Sequence, residues 1–394
     1  MDNITKYYVR KALPASGFVV PVLTTRILRN GLSYTELGVV GSVFTASWLL
    51  GEIPTGYIGD RIGRRNSMIA ADGCLALAMI GFGLSSSFLG FAGSYLLWGV
   101  STAFGSGAAG AWLYDTLERQ LDSEAYAHVS GRGMGIALTA TAVGSLVGGW
   151  LASVRPWAPF AVAAVVAVCS GLTVLTFDGS RGGAGEHTNL TITETLPLLR
   201  DQLFDARVGP VVIYLVLVVG MFETANGYVQ PVGLELGIDT AAFGVIYAVF
   251  RLAQAAVSFN IERIRDRIGL HRWMRLGPFV AAAAFLSVAV EPVLAVGVFL
   301  LSQMAYAITT PLQQQYLNDR FDSERRATLL SVVSMATSLG GIGLGIAAGV
   351  AADAVGPIRF VAGFGGVYLI VLPAVRLAFA RLSAPVFESN PATE

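Results

Sequence analysis

The chain has 394 residues, 54% of them hydrophobic and only 13% charged, with a formal net charge of zero. A soluble domain averages about 25% charged residues, so this composition cannot all face water, and a balanced charge gives no reason to expect nucleic acid as a partner. The three histidines fall in polar connections and the two cysteines, Cys74 and Cys169, in apolar runs. That argues against a disulfide framework and leaves a membrane-buried zinc or serine hydrolase without ligands or base.

A hydrocarbon core of about 30 Å needs about 20 apolar residues per helix. The first run, 9–28, follows the basic stretch MDNITKYYVRK and continues without a small-residue cleavage site, so it reads as a retained span. Further spans are expected at 36–59, 67–86, 88–115, 130–154 and 157–177. A polar stretch follows, in which Leu196, Leu199 and Leu203 share one helical face. It reads as a linker helix lying on the inner membrane surface. Six more spans are expected at 208–231, 240–261, 274–290, 293–317, 328–352 and 357–378. Pro54, Pro210, Pro231 and Pro311 mark bends within them.

Placing the N-terminus in the cytoplasm puts all but five of the 26 basic residues inside. Arg26, Arg29, Arg155 and Arg359 lie outside and Arg251 alone is mid-span. The positive-inside rule is then satisfied along the chain, and both termini are expected to be cytoplasmic. The arginines are therefore topology signals.

The two halves repeat each other. Sliding the chain by 206 residues sets Leu37–Gly63 on Phe243–Gly269 and aligns Gly38 with Gly244, Phe44 with Phe250, and Asp60-Arg61-Ile62-Gly63 with Asp266-Arg267-Ile268-Gly269. A second match pairs Leu121-Asp122-Ser123-Glu124 with Phe321-Asp322-Ser323-Glu324. The expected architecture is an all-α membrane protein with twelve transmembrane helices in two six-helix pseudo-symmetric halves. The halves are 1–178 and 208–394, joined by a cytoplasmic linker over 179–207. Parallel repeats with a site between halves are a transporter design.

The segment Gly56-Tyr57-Ile58-Gly59-Asp60-Arg61-Ile62-Gly63-Arg64-Arg65 resembles the G-x-L-[AG]-D-R-x-G-[RK]-[RK] signature of the major facilitator superfamily, departing from it only in Ile58. The degraded second copy falls between spans eight and nine, as in that family. The preceding Glu52-Ile53-Pro54-Thr55-Gly56 resembles one branch of it. The resemblance implies a conformational latch made of Gly56, Gly59, Asp60, Arg61, Gly63, Arg64 and Arg65. Asp60 would face the start of the eleventh helix near Thr328, and Arg64 would pair with Asp115 or Glu118 at the end of the fourth. Small residues would permit close helix approach and a tight turn, and a carboxylate suits a helix N-terminus. Gly135, Gly144, Gly148 and Gly149 of the fifth span partly resemble the antiporter signature of that helix, with Gly149 in place of its proline. Close small-residue packing explains the same run.

Charges inside a bilayer cost about 2.5–3.5 kcal/mol or more, so each is a functional candidate. Glu52 and Asp72 lie near the inner surface, with Arg10, Lys11 and Arg132 within reach. An inner-gate network of Glu52, Asp72 and Arg132 is expected. In the seventh span Glu223, Asn226, Gly227 and Gln230 fall on one helical face, and the tenth carries Gln303, Tyr306, Thr310 and Gln314. Two polar stripes cannot face lipid without large desolvation costs, so both are expected to line a substrate and coupling cavity. Arg251 lies at a similar depth and is a candidate ion-pair partner of Glu223.

No phosphate-binding loop is present, so transport driven by nucleotide hydrolysis is not expected and the energy would come from a gradient; no cofactor and no enzymatic activity are expected. The leading expectation is a monomeric secondary transporter of a small organic solute. It would work by alternating access in the cell membrane, with the lipid bilayer as its surroundings and a proton or ion as coupling partner. Export against protons is preferred over uptake. A non-transporting sensor on the same scaffold and a lipid flippase are the alternatives.

Overall fold

The computed structural model describes residues 2–119, 125–178, 209–320 and 323–381, without the side chains of 119, 127, 318–320, 323–331 and 379–381. The linker 179–207 with its expected surface helix, and most of the second repeat match, lie outside the described residues. Every regular element among those described is helical.

The first crossing is not one helix but three: α1 (Asn3–Lys11), α2 (Ala15–Val19) and α3 (Leu23–Arg29). Pro14 and Pro21 fall at the two breaks, where a residue without an N–H cannot continue the ladder. The second crossing, α4 (Tyr34–Ile62), opens on a capping box. Ser33 Oγ accepts from the Glu36 N–H at 3.1 Å, and the Glu36 carboxylate accepts from the Ser33 N–H at 2.8 Å. After α5 (Arg64–Leu84) the fourth crossing, expected as one helix over 88–115, splits into α6 (Phe88–Gly105) and α7 (Ala108–Arg119) around Gly107, whose φ is +71°. The half closes with α8 (Tyr126–Val154) and α9 (Ala158–Leu175).

The second half contains α10 (Gly209–Gly227), α11 (Val229–Glu235), α12 (Thr240–Phe259), α13 (Ile261–Ile268), α14 (Leu270–Val290), α15 (Ala295–Arg320), α16 (Ser323–Val355) and α17 (Pro357–Arg381). The seventh span, expected to run through residue 231, stops at Gly227. Gln230 and Pro231 belong to the separate short helix α11. Ten helical segments among the described residues are long and apolar enough to cross a membrane. The segmented first and fourth crossings complete twelve.

The described residues group into two compact units. The first is Met1–Asn189 with Ile238–Leu252, and the second is Leu190–Gly237 with Ala253–Glu394. The sequence repeat has a structural counterpart inside each. Gly63 ends α4 and starts α5 with φ +84° and ψ 158°, and Gly269 ends α13 and starts α14 with φ +80° and ψ 138°. The Gly63 N–H donates to Gly59 O at 2.8 Å, and the Gly269 N–H to Arg265 O at 2.7 Å. This backbone region is open essentially only to glycine, which is why both copies of the tetrapeptide end in it.

In the first unit Phe82 of α5 is fully buried. Its ring lies 4.9 Å from Tyr95, 6.0 Å from Trp98, 6.5 Å from Phe91 and 6.2 Å from Phe160, centroid to centroid, which ties α5, α6 and α9 into one core. Helix α8 packs on α2 with no room for side chains at the crossing. A methyl on Gly148 would sit 2.0 Å from Phe18 O and one on Gly144 3.3 Å from the Gly17 carbonyl carbon, whereas one on Gly135 would meet nothing within 4 Å. Ser145 Oγ donates at this crossing to Gly17 O at 3.3 Å, across 128 positions of sequence. In the second unit buried Tyr214 of α10 donates to Met274 O of α14 at 2.9 Å, and Arg376 of α17 lies over the same ring at 5.3 Å from its centroid.

Candidate functional site

The turn at Gly63 sets the arginines that follow it. Arg64 Nε lies 3.0 Å from Asp115 Oδ2, joining α5 to α7, with both side chains about one-quarter exposed (27% and 25%). Arg65 Nη2 donates to Leu175 O at the end of α9, at 2.6 Å. Arg61 turns back onto its own helix, over the Tyr57 ring and hydrogen-bonded to its hydroxyl. Gly59 brings α4 close to α5: a methyl there would lie 3.0 Å from Ser67 Oγ. Asp60 is exposed. The side chains around Thr328, where its expected partner lies, are outside the described residues.

The three residues of the expected inner gate are not brought together. Asp72 is buried and pairs with Arg10 of α1 at 3.3 Å, while Ser170 of α9 donates to its other carboxylate oxygen at 2.9 Å. Arg132 instead lies over the Tyr8 ring, 5.6 Å from its centroid, and Glu52 is exposed on α4. Depth along a helix, which the sequence gives, does not fix which way a side chain points. Asp72 projects into the α1–α5–α9 packing.

The polar stripes of the second unit do meet. Of the residues in α10 only Ile213, Glu223, Asn226 and Gly227 are exposed, and the last three share one face. The Tyr306 hydroxyl of α15 donates to Glu223 Oε1 at 3.4 Å. Gln254 Nε2 of α12 donates to Gln303 Oε1 at 2.8 Å, and Gln303 Nε2 donates onward to Asn226 Oδ1. Three helices are thus linked by a chain of amides. Gly341 of α16 faces the acid, since a methyl on it would lie 4.0 Å from Glu223 Oε2. Thr310 is turned to its own helix, donating to Tyr306 O at 3.1 Å, and Gln314 is exposed farther along α15. Gln230, expected on the Glu223 face, is buried in α11 because the helix ends before it. The expected pairing of Glu223 with Arg251 joins residues that fall in different units. Within its own unit Glu223 is met by Tyr306.

An enclosed helix whose open face is polar does not face lipid, because the unsatisfied polar groups would cost several kcal/mol each. That face can hold a polar solute, and Glu223 is its ionisable group. A sequence model described as the Major Facilitator Superfamily matches residues 13–342 and again 211–394. The chain belongs to that superfamily.

Its facilitator relatives include the uncharacterised MFS-type transporter YxaM of Bacillus subtilis (strain 168), 22% identical over 355 residues, covering 87% of each chain. The tetracycline resistance protein, class B, of Escherichia coli is 25% identical over 296 residues, covering 68% of this chain and 67% of that one. Among solved structures, the nucleoside transporter NupG superposes with a TM-score of 0.79 at 14% identity, over 97% of this chain and 100% of that one, which fixes the facilitator fold. The protein is a multi-pass membrane transporter of this fold. One residue of the amide chain escaped the sequence reading: Gln254. It lies one helical turn beyond Arg251 inside an apolar run, so a search for polar groups at i+3 from the arginine would have found it.

Proposed function

We propose that the protein is a secondary active transporter of the cell membrane, with both termini cytoplasmic, which moves a small, partly apolar organic solute by alternating access. The observation that carries this reading is the open polar face of α10, with Glu223 held by Tyr306, in a helix that is otherwise largely enclosed. Transporter sites of such repeat proteins lie in polar, water-lined regions at mid-membrane. The Arg64–Asp115 pair supports a latch at the inner end of the first half, one that holds in one state and parts in the other.

Export in exchange for protons is the direction this reading takes. The relative named for tetracycline resistance supports it, and the glycine run of α8 is compatible with an antiporter. Glu223 is the group assigned to coupling, because an acid inside a membrane can carry a proton through the cycle. The Glu52-Ile53-Pro54-Thr55-Gly56 segment of α4 supports membership of one branch of the superfamily under this reading. A single copy suffices, and no cofactor or chemical conversion is involved.

The test is flux in proteoliposomes with and without an imposed pH gradient, using a compound found by a thermal-shift screen on purified protein. Accumulation that follows the gradient is the expected result. A stabilising ligand with no flux would favour a sensor, and flux of lipid alone a flippase.

A further inference from the structure

We infer that the α10–α15 face binds a protonated amine that also carries a hydrogen-bond acceptor about two carbon atoms from its nitrogen. The inference deepens the transport reading by naming the substrate class.

Tyr306 occupies Glu223 Oε1. Oε2 faces Gly341, where the lack of a side chain leaves open space beside the oxygen. Among the described residues of the second unit, no cationic side chain lies within ion-pair distance of this carboxylate. An exposed carboxylate with one oxygen hydrogen-bonded and the other open is a receptor for a cation. A hydroxyl on the first oxygen orients the group without neutralising it.

The amide chain gives the second half of the specificity. Gln254 donates to Gln303 and Gln303 to Asn226 Oδ1, so the carbonyl end of Asn226 is satisfied from inside the unit. Its Nδ2 is the end of the chain and donates to no described residue of that unit. Glu223 and Asn226 are at i and i+3, with Cβ atoms about 5–6 Å apart. The face therefore presents an acceptor for an ammonium group and, one turn along, a donor for an oxygen. A carboxylate-bearing anion would meet Glu223 with like charge. A neutral alcohol would leave the carboxylate without the charge-assisted hydrogen bond that distinguishes the site.

Three probes test this on the full-length purified protein: 2-phenylethylamine, 2-amino-1-phenylethanol and the uncharged 2-phenylethanol, with binding read by thermal shift and calorimetry. Both amines are expected to bind, the hydroxylated one more tightly, and the alcohol not. Glu223→Gln is expected to weaken both amines by about tenfold or more, since hydrogen bonds to charged groups are worth at least that much, while Glu223→Asp retains part of the affinity. Asn226→Ala is expected to abolish the preference for the hydroxylated amine and leave 2-phenylethylamine within about threefold. Equal binding of the alcohol, unchanged amine affinity in folded Glu223→Gln, or no binding of either amine overturns the inference. Because these are binding measurements, amine binding without flux would remove the transport reading alone. Driven flux of an uncharged compound with no amine binding would remove this inference alone.

Discussion

Arg64 Nε and Asp115 Oδ2 stand 3.0 Å apart, joining the helix that follows the Gly63 turn to the helix that ends the fourth crossing. The pair is part-exposed, so it contributes only about 0.2–1 kcal/mol to any one state. Energies of that size are poor staples but good biases. Asp115→Asn is expected to leave the melting temperature almost unchanged and to shift the population of inner-closed molecules about two- to fivefold. Cysteine labelling from each side of the membrane reads the shift. An unchanged labelling pattern would assign the pair to static structure.

Asp72 is the opposite case. It is buried against Arg10 and Ser170, and removing one member strands the other. Asp72→Ala is expected to cost about 3–5 kcal/mol and to lower the melting temperature sharply. The double change Arg10→Met with Asp72→Leu should recover most of the loss. A double variant no more stable than the single would show that the pairing is not what stabilises this packing.

The α2–α8 crossing predicts different costs for two glycines of one helix. Gly148→Ala drives a methyl onto the backbone oxygen of Phe18, which cannot rotate away, while Gly135→Ala meets nothing. Folded yield and melting temperature should collapse for the first and stay within about 0.5 kcal/mol of wild type for the second. Equal tolerance at both positions would mean that the helices do not cross this closely.

Glu223→Gln separates coupling from structure. The amide can still accept from Tyr306, so the melting temperature is expected to stay near wild type, while accumulation driven by a pH gradient is lost and passive exchange persists once the ligand concentration is raised about tenfold to offset the weaker binding. Full driven flux in this variant would take the coupling role away from Glu223. A drop in melting temperature with flux intact would make the residue structural.

Sequence alone carried the fold because its signals are local or repetitive: apolar runs of membrane length, basic residues gathered in alternate connections, and a glycine-ended tetrapeptide written twice. The pairing of Arg64 with Asp115 or Glu118 was implied by the resemblance of the motif to the superfamily signature, and of the two acids it is Asp115 that Arg64 meets. Direction around a helix was not legible. Arg10, Lys11 and Arg132 lie at comparable depths from Asp72, and only packing selects Arg10. The polar stripes of α10 and α15 were readable from spacing, but the end of α10 at Gly227 was not, so Gln230 was placed on the wrong face. Gln254 was missed because a single amide in an apolar helix carries little periodic signal. Its significance lies in Gln303 opposite.

The segmented first crossing has a consequence for how the protein is made. A continuous apolar helix satisfies its own backbone and can leave the ribosome as a finished object. Asn3–Arg29 cannot, because its ladder is interrupted at Pro14 and Pro21. One of the partners that meets its backbone, Ser145, is translated 128 residues after Gly17. The Gly17 carbonyl therefore lacks this partner until α8 has been synthesised, and the N-terminal segment gains part of its backbone bonding against the order of translation.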